Sequence, residues 1–192
     1  MRIFLLVMSL VAFPALSAWE LNNSNSTLNF TVTSPNGGTE THQFDQLMGD
    51  VDAGVVNFTI DLESINTLTT DRNLRIQEYL FKVIGAFSPE ATFNGSFNVT
   101  DFDTISAGSS GTLPLTGNIS LYGDAQPVSI NVLVTKSVAG DISVSSQGTF
   151  NVDASNFSSL ATGIQKIADI AGIASFNNIV PVSFFLAFIE IP

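Results

Sequence analysis

His42 is the single imidazole in this 192-residue chain, and there is no cysteine. Thiol catalysis, disulfides and thiolate metal sites are therefore excluded. A serine nucleophile would have to be activated through His42, yet no Gly-x-Ser-x-Gly elbow or phosphate-cradling glycine loop is present. A histidine metal centre would need carboxylates at a supporting spacing, and none is visible. Asp50/Asp52 and Asp101/Asp103 have the i,i+2 spacing that places two carboxylates on one strand face, the start of a calcium site. The remaining loop ligands of such a site do not follow, so these are read as solvated turn acids. His42 is expected to be structural, bonding backbone or a turn acid. No enzyme and no required cofactor or metal follows from this inventory.

The cations are the unusual feature. Arg72, Arg75 and Lys82 fall within the stretch DRNLRIQEYLFK, half of the six basic residues in the chain. At 100° per residue, Ile76, Tyr79, Leu80, Val83 and Ile84 form one apolar stripe of a helix over 71–84. Arg72 lies in that stripe, while Asp71, Arg75, Glu78 and Lys82 lie opposite, at spacings suited to local ion pairs. Arg75 and Lys82 therefore read as a solvated face. Arg72 is carried toward whatever the helix covers, where it needs a carboxylate such as Asp61, Glu63 or Asp71, or the head group of a ligand.

The elements around this helix alternate with period two. Leu28, Phe30 and Val32 alternate with polar residues, as do Val56, Phe58, Ile60 and Leu62. Phe93, Phe97 and Val99 repeat the pattern, followed by Leu113, Leu115, Ile119 and Leu121, then Val128, Ile130, Val132 and Val134. A weaker strand spans 142–152, and 182–189 is apolar on both faces. A second helix is expected over about 158–172. Strands so numerous and one-sided predict a mainly β fold, an antiparallel barrel of about eight strands with one or two short helices. A filled β-sandwich displaying a protein- or glycan-binding surface is the alternative. Gly95, Gly117 and Gly148 fall in phase with the apolar residues, marking either bends or places where something approaches the backbone. Together with the abundant phenylalanine they predict an internal apolar cavity.

Residues 1–18 have the basic start, apolar run and small-residue end of a secretory signal peptide, with cleavage after Ser17 or Ala18, leaving one domain over 19–192. Without Arg2, five basic residues stand against seventeen acidic ones, a formal charge of −12 with His42 neutral. By that total, nucleic acid and anionic lipid surfaces are poor partners. After the leader no apolar run approaches the length of a membrane span. Phenylalanine numbers sixteen against two tyrosines and one tryptophan; rings without a polar handle belong in a core or around an apolar ligand. Eight Asn-x-Ser/Thr triplets fall mostly on polar strand faces. The outer residues Phe185, Ala187 and Ile189, with the stripe Leu160, Ile164, Ile167 and Ala171, must pack on the barrel or form a homodimer interface.

The runs THQFDQLMGDVDAGVVNFTIDLESINT (41–67), DRNLRIQEYLF (71–81), LPLTGNISLYGDAQPVSINVLVT (113–135) and FSSLATGIQKIADIAGIASFNNIVPVSFFLAF (157–188) resemble, in order, the YceI-like family of bacterial secreted proteins. The resemblance implies an extended lipocalin-like β-barrel of eight strands, periplasmic or secreted. Its long internal tunnel binds a polyisoprenoid, an isoprenoid quinone or another amphiphilic lipid. Arg72, Asn73 and Arg75 match the family's Arg-Asn-x-Arg helix, and His42 with Phe44 its His-x-Phe element. Tyr122 stands where many relatives carry histidine before Gly123, leaving a hydroxyl donor in place of an imidazole. On this reading the tunnel is walled by Phe30, Phe58, Ile60, Leu80, Phe93, Phe97, Leu115, Ile119, Ile130, Phe150, Phe184 and Phe188, directed inward by alternation. Arg72 and Tyr122 are the expected head-group residues.

Overall fold

The computed structural model of the chain describes residues 18–34, 38–83 and 89–191. The expected leader, save Ala18, lies outside them, as do Ile84 and most of the PNGG turn. Among the described residues twelve strands form one sheet: β1 Ala18–Leu21, β2 Thr27–Thr33, β3 Thr39–Phe44, β4 Leu47–Asp52, β5 Val55–Asp61, β6 Ile65–Asn66, β7 Glu90–Ser96, β8 Ser110–Leu121, β9 Asp124–Lys136, β10 Ile142–Ser146, β11 Phe150–Asp153 and β12 Ile179–Ile191. β1 and β2, β3 and β4, β5 and β6, and β10 and β11 are each one long strand with a break. The sheet therefore closes as eight antiparallel staves, β12 returning to pair with both β1 and β2. Closure leaves no long sheet edge to be protected, and a single closed sheet replaces the two packed sheets of the sandwich alternative.

The breaks have local causes. A 3₁₀ turn at Asn23–Asn25 interrupts the first stave; Asn23 Nδ2 donates to the Asp45 carbonyl at 2.9 Å and its Oδ1 accepts from the Leu47 amide at 2.8 Å. One asparagine thus ties the first break to the second. Asp61 accepts from the Glu63 amide at 2.8 Å and starts the turn between β5 and β6. The weaker strand expected over 142–152 is split into β10 and β11, with Gly148 between them at φ +82°. Gly148 is therefore a turn residue outside the strands, not an inward position.

The alternation expected of β7 also ends early. Asn98 accepts from the Thr100 amide at 2.9 Å and caps a short helix, α1 (Val99–Asp103), so Val99 is helical. Asp101 and Asp103 sit on this helix and do not share a strand face. The helix drives Phe102 into one end of the barrel, where its ring meets Trp19 at 5.4 Å and Phe97 at 5.3 Å between centroids. Lys136 Nζ stands 3.7 Å from the same ring, a cation–π contact. Val51, Leu113, Val134, Ile142 and Phe188 pack around this floor and are each at most 4 % exposed.

At the other end two helical segments lie across the staves. The first, α2 (Thr70–Arg75), widens into a π-helical turn at Ile76–Leu80, where the Phe81 amide reaches back five residues to Ile76. It ends at Leu80, capped by Phe81 and followed by Lys82 at φ +49°, four residues short of the expected end. The second, α3 (Ala161–Ala171), follows a 3₁₀ turn at Ser158–Leu160 and closes on Gly172 at φ +68°, the left-handed cap that glycine favours. Asp124 anchors its start by accepting from the Ser158 hydroxyl at 3.0 Å and the Ser159 amide at 3.1 Å. Those bonds hold its carboxyl below the usual range. Gly163 lets the segments touch: a β-carbon there would meet the Tyr79 carbonyl and come within 2.7 Å of Leu80 Cα.

Candidate functional site

Between the packed floor and the helical cap the barrel is hollow. An apolar cavity of about 880 Å³ runs through the upper lumen, within the range of sites that take small molecules and toward its upper end. All twelve residues expected to wall a tunnel line it. Nine of them stay only partly buried: Phe97, which packs on Phe102 at the floor, and Phe30, Ile60, Leu80, Phe93, Ile119, Ile130, Phe150 and Phe184, which point inward above it. An inward side chain that keeps accessible surface faces empty space, and that is how the hollow shows itself residue by residue. Phe58, Leu115 and Phe188 are buried, at 7 %, 7 % and 2 % exposure, and belong to wall packing nearer the floor.

The in-phase glycines have a specific use. Gly95 and Gly117 pair across β7 and β8, and the Phe93 ring lies flat over both. A β-carbon on Gly117 would come within 2.7 Å of Phe93 Cε2 and 2.6 Å of Gly95 Cα. The close-approaching group at these positions is the protein's own phenylalanine. Laying that ring against bare backbone keeps it along the wall of the lumen.

The open end is bordered by Val32, Ser34 and Gly38 from the β2–β3 hairpin, Arg72 and Arg75 from α2, and Ile173 and Phe176 after α3. Its polar group is a cluster of three. Arg72 Nη1 donates to Glu40 Oε2, and His42 Nε2 stands 3.5 Å from the same oxygen. The carboxylate partner of Arg72 is thus Glu40, not Asp61, Glu63 or Asp71. The signal that finds Glu40 is alternation in TETHQF: Glu40, His42 and Phe44 share a face and pair with Val32, Phe30 and Leu28. Arg75 also borders the lumen while remaining exposed, and neither expected pair, Arg75 with Glu78 or Glu78 with Lys82, is among the ion pairs of the described residues.

His42 is 8 % exposed, edge-on to Phe30 at 5.6 Å. Burial lowers its pKa below the ordinary 6.5, Glu40 opposes that shift, and Arg72 adds to it. Folding therefore favours the neutral ring. Its stabilising contribution is full above about pH 6.5 and is lost as pH falls from there toward the depressed folded value. The thermal midpoint of the native protein relative to His42→Gln is expected to shrink steadily from about pH 7.5 to about pH 5; a pH-independent difference would show that the ring titrates normally.

Tyr122 is not brought to the cavity. It occupies a left-handed turn at φ +48°, and its hydroxyl donates to the Phe81 carbonyl. The bond latches the β8–β9 turn to the end of the π-helical segment, and burial raises the phenol's pKa. This side chain serves the cap, not the head-group region where sequence reasoning placed it.

Outside the barrel, Phe185 and Ile189 remain 45 % and 48 % exposed on β12, the surface that the homodimer expectation requires. The α3 stripe is turned inward instead: Leu160 is buried, and Ile164 and Ile167 line the lumen. No helix among the described residues is long and apolar enough to cross a membrane. No grouping of three or more His, Asp or Glu able to hold a metal occurs among them.

The family model described as the YceI-like domain matches residues 19–188. Among solved structures, a polyisoprenoid-binding domain from Saccharophagus degradans, implicated in plant cell wall breakdown, superposes with a TM-score of 0.82 at 28 % identity. The match covers 93 % of this chain and all of that one. Burkholderia cenocepacia BcnA follows at a TM-score of 0.65 and 19 % identity, over 87 % of this chain and 98 % of that one. A Campylobacter jejuni YCEI protein gives 0.53 and 15 %, over 100 % and 96 %. The last two are likenesses of fold. No curated protein matches the sequence.

Proposed function

The chain belongs to the YceI-like family, and from that premise we propose that its lumen binds a long isoprenoid-type lipid, a polyprenyl chain or an isoprenoid quinone, outside the cytoplasm and without catalysis. The observation that carries this reading is the hollow itself, an apolar space of about 880 Å³ whose inward rings stay partly exposed. Each methylene moved from water into it contributes roughly 0.8 kcal/mol, so a chain of several isoprene units offsets the cost of its own ordering. The similar domain from Saccharophagus degradans is a polyisoprenoid-binding domain, which supports the same class of ligand here. The apolar run at residues 3–13 supports export to the periplasm or beyond, where such a protein would carry or store the lipid.

The tail supplies the affinity and the open end selects the head. Arg72 lies beside the lumen with Glu40 already on its guanidinium, and His42 is held toward its neutral form. Such a group offers hydrogen bonds without net charge, which favours an uncharged carbonyl or hydroxyl head over a phosphate.

Native mass spectrometry of gently purified protein, before and after organic extraction, tests the reading. A lipid-sized adduct that extraction removes and a prenyl quinone restores is the expected result. A bare mass with no uptake overturns it. Arg72→Leu, with the fold intact, is expected to weaken quinone uptake by about tenfold or less, as for one hydrogen bond near 1 kcal/mol. Unchanged uptake would remove Arg72 from the head-group site. Glu40→Gln, which leaves Arg72 uncompensated, is expected to shift preference toward a polyprenyl phosphate of equal length.

A further inference from the structure

The helical cap has a charge balance unlike the rest of the molecule. Segments 68–82 and 158–176 contain Arg72, Arg75, Lys82 and Lys166 against Asp71, Glu78 and Asp169, four basic to three acidic. The remainder of residues 18–191 contains Lys136 alone against fourteen acidic residues. Lys136 lies on the Phe102 ring at the opposite end of the barrel. Glu40, which the β2–β3 hairpin brings to Arg72, makes the open end four of each sign, so it is close to neutral while the rest of the chain is strongly acidic, and near an anionic surface the barrel is repelled while the cap is not.

The same end holds apolar side chains out in water. Leu68 is 91 % exposed, Leu74 57 % and Ile170 39 %. Leu74, Arg75 and Ile170 share a shallow groove between α2 and α3 with Asp71, Glu78 and Tyr79, and Leu68 adjoins Thr69, which borders the lumen. The exposure of Leu68 is built in. Its φ is +61°, a left-handed conformation that a residue with a β-carbon adopts only at a cost. The backbone is nonetheless pinned: the Leu68 amide donates to Asn66 Oδ1 at 3.0 Å, and Asn73 Oδ1 accepts from the Thr67 amide at 2.9 Å and its hydroxyl at 2.6 Å. A leucine presented to solvent by a strained, fully bonded turn marks a contact surface.

We propose that this face docks on the surface of a phospholipid bilayer containing anionic lipid, with Leu68, Leu74 and Ile170 entering the head-group boundary and Arg75, Lys82 and Lys166 meeting phosphates. The inference rests on the reading that the lumen takes a lipid, because docking in this pose opens the lumen onto the membrane. Arg72 contributes little, its charge being taken by Glu40. Shallow insertion of a few apolar side chains, assisted by neighbouring cations, is the physics of reversible interfacial binding. A near-neutral cap thus escapes the repulsion that the total of −12 imposes on the rest of the barrel.

The test is flotation of the mature protein with vesicles of about three parts phosphatidylethanolamine to one part phosphatidylglycerol. The native protein is expected to float at low salt. Leu68→Asp with Leu74→Asp is expected to lose binding by about tenfold or more, and aspartate tolerates the left-handed backbone at 68 better than leucine does. Lys82→Glu with Lys166→Glu is expected to weaken binding chiefly at low salt, and Phe185→Ser with Ile189→Ser to leave it unchanged. A native protein that stays with the soluble fraction overturns the proposal. So does a leucine variant that floats equally well, or one whose only change is a smaller mass in sedimentation, which would make the face a contact between copies of the chain. Uptake of a prenyl quinone from detergent, read by mass, separates the two claims. Uptake without flotation overturns docking alone, and flotation without uptake overturns the lumen reading alone.

Discussion

Ile119→Trp combined with Ile130→Trp should abolish lipid uptake while leaving the protein folded. Both side chains come from the long β8–β9 hairpin, point into the lumen and keep accessible surface there. The larger rings therefore have space to enter without displacing the wall. If they exclude about five methylenes of a ligand, the loss is roughly 4 kcal/mol, close to a thousandfold in affinity. The adduct in native mass spectra should disappear, with the circular dichroism spectrum and thermal midpoint little changed. Uptake at native strength in a folded double variant would mean that the lipid sits elsewhere. A collapse of stability would mean that the upper lumen is filled core after all.

Gly117→Val is expected to have the largest effect on stability. The new β-carbon meets the Asn94 carbonyl, Gly95 Cα at 2.6 Å and Phe93 Cε2 at 2.7 Å. Two of these obstacles are backbone of the paired strand, so β7 and β8 must part or Phe93 must swing into the lumen. Overpacking of this kind costs about 1–3 kcal/mol, and lost strand pairing adds to it. Thermal denaturation should show a marked drop, and any folded fraction should take up less lipid because the displaced ring occupies the cavity. Gly117→Val at native stability would mean that the strand spacing at this pair is slack.

The staves were legible because each carries an uninterrupted period of two, and alternation alone is enough to aim Phe30, Ile119, Ile130 and Phe184 inward. What alternation cannot reveal is whether inward residues meet one another. Phe184 and Phe188 occupy the same face of β12, yet one borders open space and the other is packed. The difference is α1, whose Phe102 reaches only the lower end. Alternation hides that helix because FNVT extends the strand pattern, and the Asn98 cap that ends it is one side chain. Glu40 is hidden for another reason: Asp61, Glu63 and Asp71 lie closer to Arg72 in sequence, whereas the hairpin of β2 and β3 brings Glu40 across the open end from thirty-two residues away. Alternation does not orient Tyr122 either, because a turn residue's direction follows from its φ, which at +48° sends the ring toward Phe81.

The stopper of Trp19, Phe97 and Phe102 bears on traffic. On the proposed reading, a chain lodged above it would back out by the doorway through which it came, tail first in and head first out. A protein closed in this way would serve two membranes in turn, a ferry and not a bridge.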